Sequence, residues 1–185
     1  FYLGARGDAV RLSYWIAAGR RIILLTVFRK QRRQERAEIE RIMNDCDAVA
    51  IAGGHVAVLL NRLRSFGIAE LLGGRAVFAW SAGAMAIAER VVLFHDYAMH
   101  GPSWPEVMDE GLAIVKGVVP LPHAHRRLRL DDRARVSLMS RRFAPAMCAT
   151  LEDGAALVVR PEGWKADPGT RRLSEAGAVE PLEAA

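Results

Sequence analysis

Residues 75–89 read Arg75-Ala-Val-Phe-Ala-Trp80-Ser81-Ala-Gly-Ala-Met-Ala-Ile-Ala-Glu89. The short apolar run 76–79 leads into Trp80-Ser81-Ala82-Gly83 and then into small residues at helical spacing. That pattern predicts a strand, a sharp turn and a helix, with one hydroxyl at the apex. A serine so placed stands clear of the sheet, next to helix-start N–H groups that have no acceptor within their own helix. Both features suit a nucleophile whose reaction places negative charge on an oxygen. The spacing is Gly-x-Ser-x-Gly with Ala79 in place of the first glycine, the smallest replacement available. Small residues around a serine also occur where the serine only caps a helix, so the elbow gains meaning from what surrounds it.

Working outward, strands and helices alternate. Upstream, residues 21–28 (Arg-Ile-Ile-Leu-Leu-Thr-Val-Phe) form a continuous aliphatic run, expected as a strand buried on both faces. Residues 31–44 are a charged amphipathic helix, and residues 47–52 a second buried strand closed by Gly53-Gly54. Residues 56–66 carry an apolar stripe at Val56, Leu59, Leu60 and Leu63, the mark of a helix. Residues 8–19 are also read as a helix, ending at Gly19. Downstream, residues 95–105 contain glycine, prolines, Tyr97 and Trp104 and predict a loop over the functional edge; short strands are expected within 111–119, 147–150 and 155–159. Residues 132–143 form a basic helix with Asp131 or Asp132 as N-cap. Asp167-Pro168-Gly169 is a turn signal, placing a hairpin between Trp164-Lys165 and Arg171–Leu173, with a frayed end beyond Glu175. The alternation implies an α/β fold: one domain built on a mostly parallel open sheet with helices on both faces. Residues 1–160 make its body and 161–185 a terminal hairpin and tail.

Composition bounds the function. A chain of 185 residues, half of them apolar and a quarter charged, is long enough for one full core. Arg20 and Arg21 interrupt the best apolar run, so no membrane span is expected. The two cysteines, Cys46 and Cys148, make no disulfide framework and suit a reducing, cytoplasmic setting. No targeting segment is visible, and the first residue is Phe1 rather than Met. The net charge of +5 resides mainly in arginines at 29–36 and 126–142. Neither cluster interleaves aromatics, so nucleic acid is not expected as a partner; solvated helix faces account for the first. The second follows a histidine pair and has the chemistry to hold an acidic group.

A serine nucleophile requires a base, and the base an orienting acceptor. Of the five histidines, His55 lies at a helix start, and His95 and His100 in the loop. His123 ends a strand-like run after the elbow, where a parallel sheet gathers its functional groups; His125, two residues on, is not separated from it by sequence alone. Glu152 and Asp153, in a turn between apolar segments, are the candidate acids. Gly53 and Gly54 end the strand upstream of the elbow strand, where a backbone N–H approaches a ligand closely. With Ala82 N–H they would supply an oxyanion hole. No metal site is expected, since no histidine–carboxylate spacing of a ligand set is present, and no cofactor is called for.

Four segments, in order, resemble the dipeptidase E and cyanophycinase family of serine peptidases: Ala52-Gly53-Gly54-His55, Trp80-Ser81-Ala82-Gly83-Ala84, residues 111–123 running Gly-Leu-Ala-Ile-Val-Lys-Gly-Val-Val-Pro-Leu-Pro-His, and residues 151–158 running Leu-Glu-Asp-Gly-Ala-Ala-Leu-Val. The similarity covers roughly residues 20–160. It implies the class I glutamine amidotransferase-like fold, with Ser81 as nucleophile, His123 as base, and the triad acid at Asp153 with Glu152 one place earlier. The chain departs from the family in its shortened acid, in His55 after the glycine pair, and in a first strand missing or very short within residues 1–7. The expectation is a serine-type hydrolase of small peptides or isopeptides, aspartyl-containing ones included, with a homodimer left open. The alternative is a non-catalytic amidotransferase-like domain that binds a small ligand or a protein partner. A cysteine nucleophile is disfavoured because the elbow carries Ser81.

Overall fold

The computed structural model describes residues 10–17, 21–29, 32–94 and 106–182. The expected loop 95–105, with His95, Tyr97, His100 and Trp104, lies outside the described residues, as do residues 1–7. The chain divides into two compact units, 1–47 and 48–185.

In the first unit, β1 (Val10–Ala17) pairs antiparallel with β2 (Arg21–Arg29), and α1 (Arg32–Asn44) follows. The strand at 21–28 and the helix at 31–44 lie where the sequence places them. The helix expected over 8–19 is a strand across its described part. Val10, Leu12, Tyr14 and Ile16 alternate with Arg11, Ser13 and Trp15, and this period-two pattern is rich in branched and aromatic residues. A neighbouring strand that accepts the ladder then decides the state. On α1, Arg36–Glu40 and Arg41–Glu38 ion pairs, both 2.9 Å, lie at one-turn spacing on an exposed face.

The second unit runs β3 (Ala48–Ile51), α2 (Val56–Ser65), α3 (Ile68–Leu71), β4 (Ala76–Ala79), α4 (Ala82–Ala86), β5 (Arg90–Leu93), β6 (Glu106–Glu110), β7 (Val118–Pro122), α5 (Ala124–Arg127), α6 (Arg133–Phe143), β8 (Met147–Leu151), β9 (Leu157–Arg160), β10 (Gly163–Ala166), β11 (Arg171–Leu173) and β12 (Val179–Pro181). Two pairs are parallel: β3 with β4, where Ile51 faces Ala79, and β7 with β8, where Pro122 faces Leu151. Around them the pairings are antiparallel: β5–β6, β9–β10, β11–β8 and β11–β12. The fold is mixed α/β; the parallel-paired strands lead into the candidate site residues, and an isolated parallel bridge joins Ala88 to Val115.

The larger core cluster of this unit draws on helices and strands alike. Val56 and Leu60 of α2, Met85 and Ala86 of α4, Val91 and Val92 of β5, Val119 and Leu121 of β7, and Val136 and Phe143 of α6 are buried in a single cluster. Each large aliphatic side chain in it contributes about 1.5–3 kcal/mol by leaving water. All five residues of β7 are buried, as expected of a strand covered on both faces. β3 differs from the buried strand expected there: Ala48 and Ala50 are exposed and only Ile51 is buried. Its alanines offer little apolar area to cover. Of the two expected caps, Asp131 and Asp132, the basic helix α6 begins at Asp132, whose carboxylate accepts from Arg135 N–H at 3.2 Å.

The C-terminal region departs from expectation. Asp167 C=O does accept from Thr170 N–H at 2.9 Å, closing the turn. That turn, however, joins two sheets: β10 pairs with β9, and β11 pairs with β8 and β12. Nor is the chain frayed between Glu175 and Leu182, because β12 completes the four-stranded sheet and Leu182 is buried against Val118 and Ala149. Val179 and Leu182 anchor a segment that is otherwise Ala, Gly, Glu and Pro. Among the described residues no helix is long and apolar enough to cross a membrane.

Candidate active site

Ser81 occupies the elbow between β4 and α4. Trp80 N–H donates to Ile51 C=O at 3.2 Å, carrying the parallel ladder one residue past the strand. The chain then reverses at Ser81, with φ 52° and ψ −123°, and Ser81 C=O accepts from Met85 N–H at 3.2 Å to open the helix. A non-glycine residue in that region costs on the order of 1–3 kcal/mol and persists only where the surroundings impose it. The surroundings are visible in Gly83: a methyl group there would overlap the Ile51 carbonyl. The helix start is therefore pressed against the end of β3, and the second glycine of the motif is obligatory. Ala79 lies within β4, where a methyl is accommodated.

The glycine pair after β3 abuts the elbow. A methyl on Gly53 would sit 3.0 Å from Ser81 Cβ and 3.2 Å from its Oγ. Gly54 has φ 130°, which side-chain-bearing residues rarely adopt. Ala82, as the first residue of α4, has an N–H that its own helix does not take up. His55 is exposed and caps α2 through its backbone, without a side-chain hydrogen bond.

The histidines and carboxylates come from the other parallel pair. His123 follows β7 and the turn 152–154 follows β8, so parallel pairing delivers both to the same edge. His123 N–H donates to Leu151 C=O at 2.9 Å, and His123 itself is left-handed, φ 54° and ψ 42°. Its Nδ1 lies 3.4 Å from Asp153 Oδ1, ion-pair range rather than a short hydrogen bond. The Asp153 carboxylate is 94 % exposed, so water competes for it. Glu152 turns the other way: its Oε1 accepts from His125 N–H and also meets His125 Nδ1, both at 2.9 Å. Burial pushes the Glu152 carboxyl up, but the His125 backbone and imidazole, with the charges of His125 and His123, outweigh it and hold the group below the ordinary glutamate range. Adjacent residues of a turn thus serve two different histidines. The sequence shows the two pairs of residue types but not who meets whom.

The two halves are joined by packing. Ser81 immediately precedes Ala82, and His123 immediately precedes Ala124; both alanines are buried in the same cluster with Met85, Val119 and Leu121. Cys148 is buried within β8, where desolvation pushes its thiol up to about 12, so it stays protonated at neutral pH.

Comparison with known proteins supplies the family. No curated protein matches the sequence. Among solved structures, a candidate peptidase E protein from Listeria monocytogenes EGD-e is similar at 18 % identity and a TM-score of 0.49, over 75 % of this chain and 65 % of that one. The chain thus spans about two-thirds of the length of that protein. The sequence profile of peptidase family S51 matches residues 23–166. That match covers most of the molecule, including the elbow, both glycines, both histidines and both carboxylates, and the chain belongs to peptidase family S51.

Proposed function

We propose that this chain is a serine-type peptidase acting on small peptides or isopeptides, aspartyl-containing ones included, with Ser81, His123 and Asp153 as its triad. The observation that carries the reading is the elbow: a serine at φ 52° against Gly53, with helix α4 fixed behind it. In the proposed reaction, Ser81 Oγ attacks the substrate carbonyl carbon while His123 takes the hydroxyl proton. The C–N bond then breaks, and His123 returns the proton to the leaving amine. Water repeats the sequence on the acyl-enzyme, with His123 again as base, and regenerates Ser81. Asp153, 3.4 Å from Nδ1, orients the imidazole so that Nε2 serves the hydroxyl. The N–H groups at Gly54, in the Gly53-Gly54 turn, and at Ala82 receive the oxyanion.

Glu152 is then a structural acid rather than the triad acid, because His125 occupies its Oε1. A count of only two cysteines, Cys46 and the deeply buried Cys148, supports a cytoplasmic setting. The family match at 23–166 crosses the boundary between the two compact units, which supports reading residues 1–160 as one functional domain with 161–185 as its C-terminal part.

One observation favours the second reading, a non-catalytic ligand-binding domain: the almost fully exposed Asp153 is a weak orienting group. Labelling with a fluorophosphonate, wild type against Ser81→Ala, separates the two. The proposal expects labelling of wild type alone, together with turnover of aspartyl dipeptides or β-aspartyl–arginine that Ser81→Ala lacks. An unlabelled wild type that turns over none of these peptides supports the binding domain.

A further inference from the structure

The second arginine cluster does not form a simple solvated face. It surrounds a cavity of about 610 Å³ between α5, the segment after it and helix α6, within the size range of small-molecule sites. None of Ser81, His123 and Asp153 lines it; His125 does. Its floor is apolar, with Val136, Met139 and Leu173 buried and Leu128 and Leu130 half-buried. Leu138, 61 % exposed, stands on its wall.

The charged lining is one-sided: Arg126, Arg127, Arg129, Arg135 and Arg142 against a single acidic residue, Asp131. Part of that charge is committed. Arg135 pairs with Asp132 at 2.9 Å, and Arg127 lies over the Phe94 ring and donates to Pro122 C=O. Arg129 meets Asp131 only at 4.0 Å. Among the described residues, neither Arg126 nor Arg142 is paired with an acidic side chain. Guanidinium groups around an apolar floor match one ligand chemistry: an anionic head that takes forked hydrogen bonds, carried on an aliphatic body that covers the leucines.

We propose that this cavity is a binding site for a small organic anion with an aliphatic arm, separate from the residues assigned to peptide hydrolysis. Carboxylate and phosphate heads share the required chemistry, and the arm supplies the apolar contact that a bare anion lacks.

Isothermal titration of the full chain tests this with octanoate, octyl phosphate, acetate and 1-octanol. Octanoate or octyl phosphate is expected to bind about tenfold or more tightly than acetate or octanol, a difference of about 1.4 kcal/mol. The ratio of octanoate to octyl phosphate tells which head is preferred. Raising the ionic strength should weaken octanoate binding, and the exposed double variant Arg129→Glu/Arg142→Glu should weaken it at least as much. Ser81→Ala should bind octanoate as the wild type does, so the outcome is independent of whether the chain is a peptidase. No binding of either alkyl anion overturns the proposal. So does binding that neither salt nor the double variant changes, or binding of an acidic amphipathic peptide where both alkyl anions fail.

Discussion

Removal of the Glu152 carboxylate is the perturbation most directly calculable from the structure. Its Oε1 holds His125 by two contacts of 2.9 Å, one to the backbone N–H and one to Nδ1. Hydrogen bonds to a charged group contribute about 1.5–3 kcal/mol each when dry. Here the Glu152 side chain is 30 % exposed and that of His125 67 %, so solvent screening reduces the pair to a total of about 1 kcal/mol. For a domain of this size that corresponds to a fall in Tm of about 2–4 °C for Glu152→Ala. The pH dependence has a definite sign. The folded-state pKa of Glu152 is lowered, so the stabilisation is fully present above its unfolded value, near the ordinary 4.5, and is lost as pH falls through the folded value. Urea denaturation of wild type and Glu152→Ala at neutral pH should show the gap, and a series down to acid pH should show it closing. Equal stability at neutral pH, or a gap that stays constant into acid, would refute the reasoning.

Gly83→Ala places a methyl on the Ile51 carbonyl and should destabilise by about 2 kcal/mol or more, read as a lower urea midpoint. Gly53→Ala puts a methyl 3.2 Å from Ser81 Oγ at an exposed position, so fluorophosphonate labelling should slow by about tenfold or more while stability changes by less than about 1 kcal/mol. Retained labelling would detach Gly53 from the site. Ser81→Ala should lower peptide turnover by several orders of magnitude, on the order of 10⁶ where a triad acts as a unit; equal turnover would place the chemistry elsewhere. Cys148, buried and with its thiol pushed up to about 12, should resist alkylation in the native protein near pH 8 while half-buried Cys46 reacts, as peptide mapping would show.

Much of this was legible in the chain. The strands at 21–28, 47–52 and 76–79, the helix stripe at 56–63 and a helix cap at Asp131 or Asp132 follow from local periodicity and capping chemistry, which a short window contains. So does the elbow, because an apolar run that ends at Trp80-Ser81 and continues in small residues at helical spacing holds both a strand end and a helix start within one short window. The four-segment resemblance then pointed to the family that the profile match at 23–166 shows.

What the chain alone left open depends on partners distant in sequence. Residues 10–17 fit either state until β2 offers a ladder. Asp167-Pro168-Gly169 makes the turn it signals, but the strands on either side pair with β9 and β8 rather than with each other. The split between Glu152 and Asp153 is of the same kind: both are acids in one turn, and only the parallel register of β7 on β8 sets Asp153 beside His123 and Glu152 beside His125. Sequence determined which groups with chemistry exist and at which strand ends they stand, since local backbone preference is short-ranged. Tertiary structure decided which of those groups meet, because strand pairing and the packing of α4 on β7 are long-range choices made by burial.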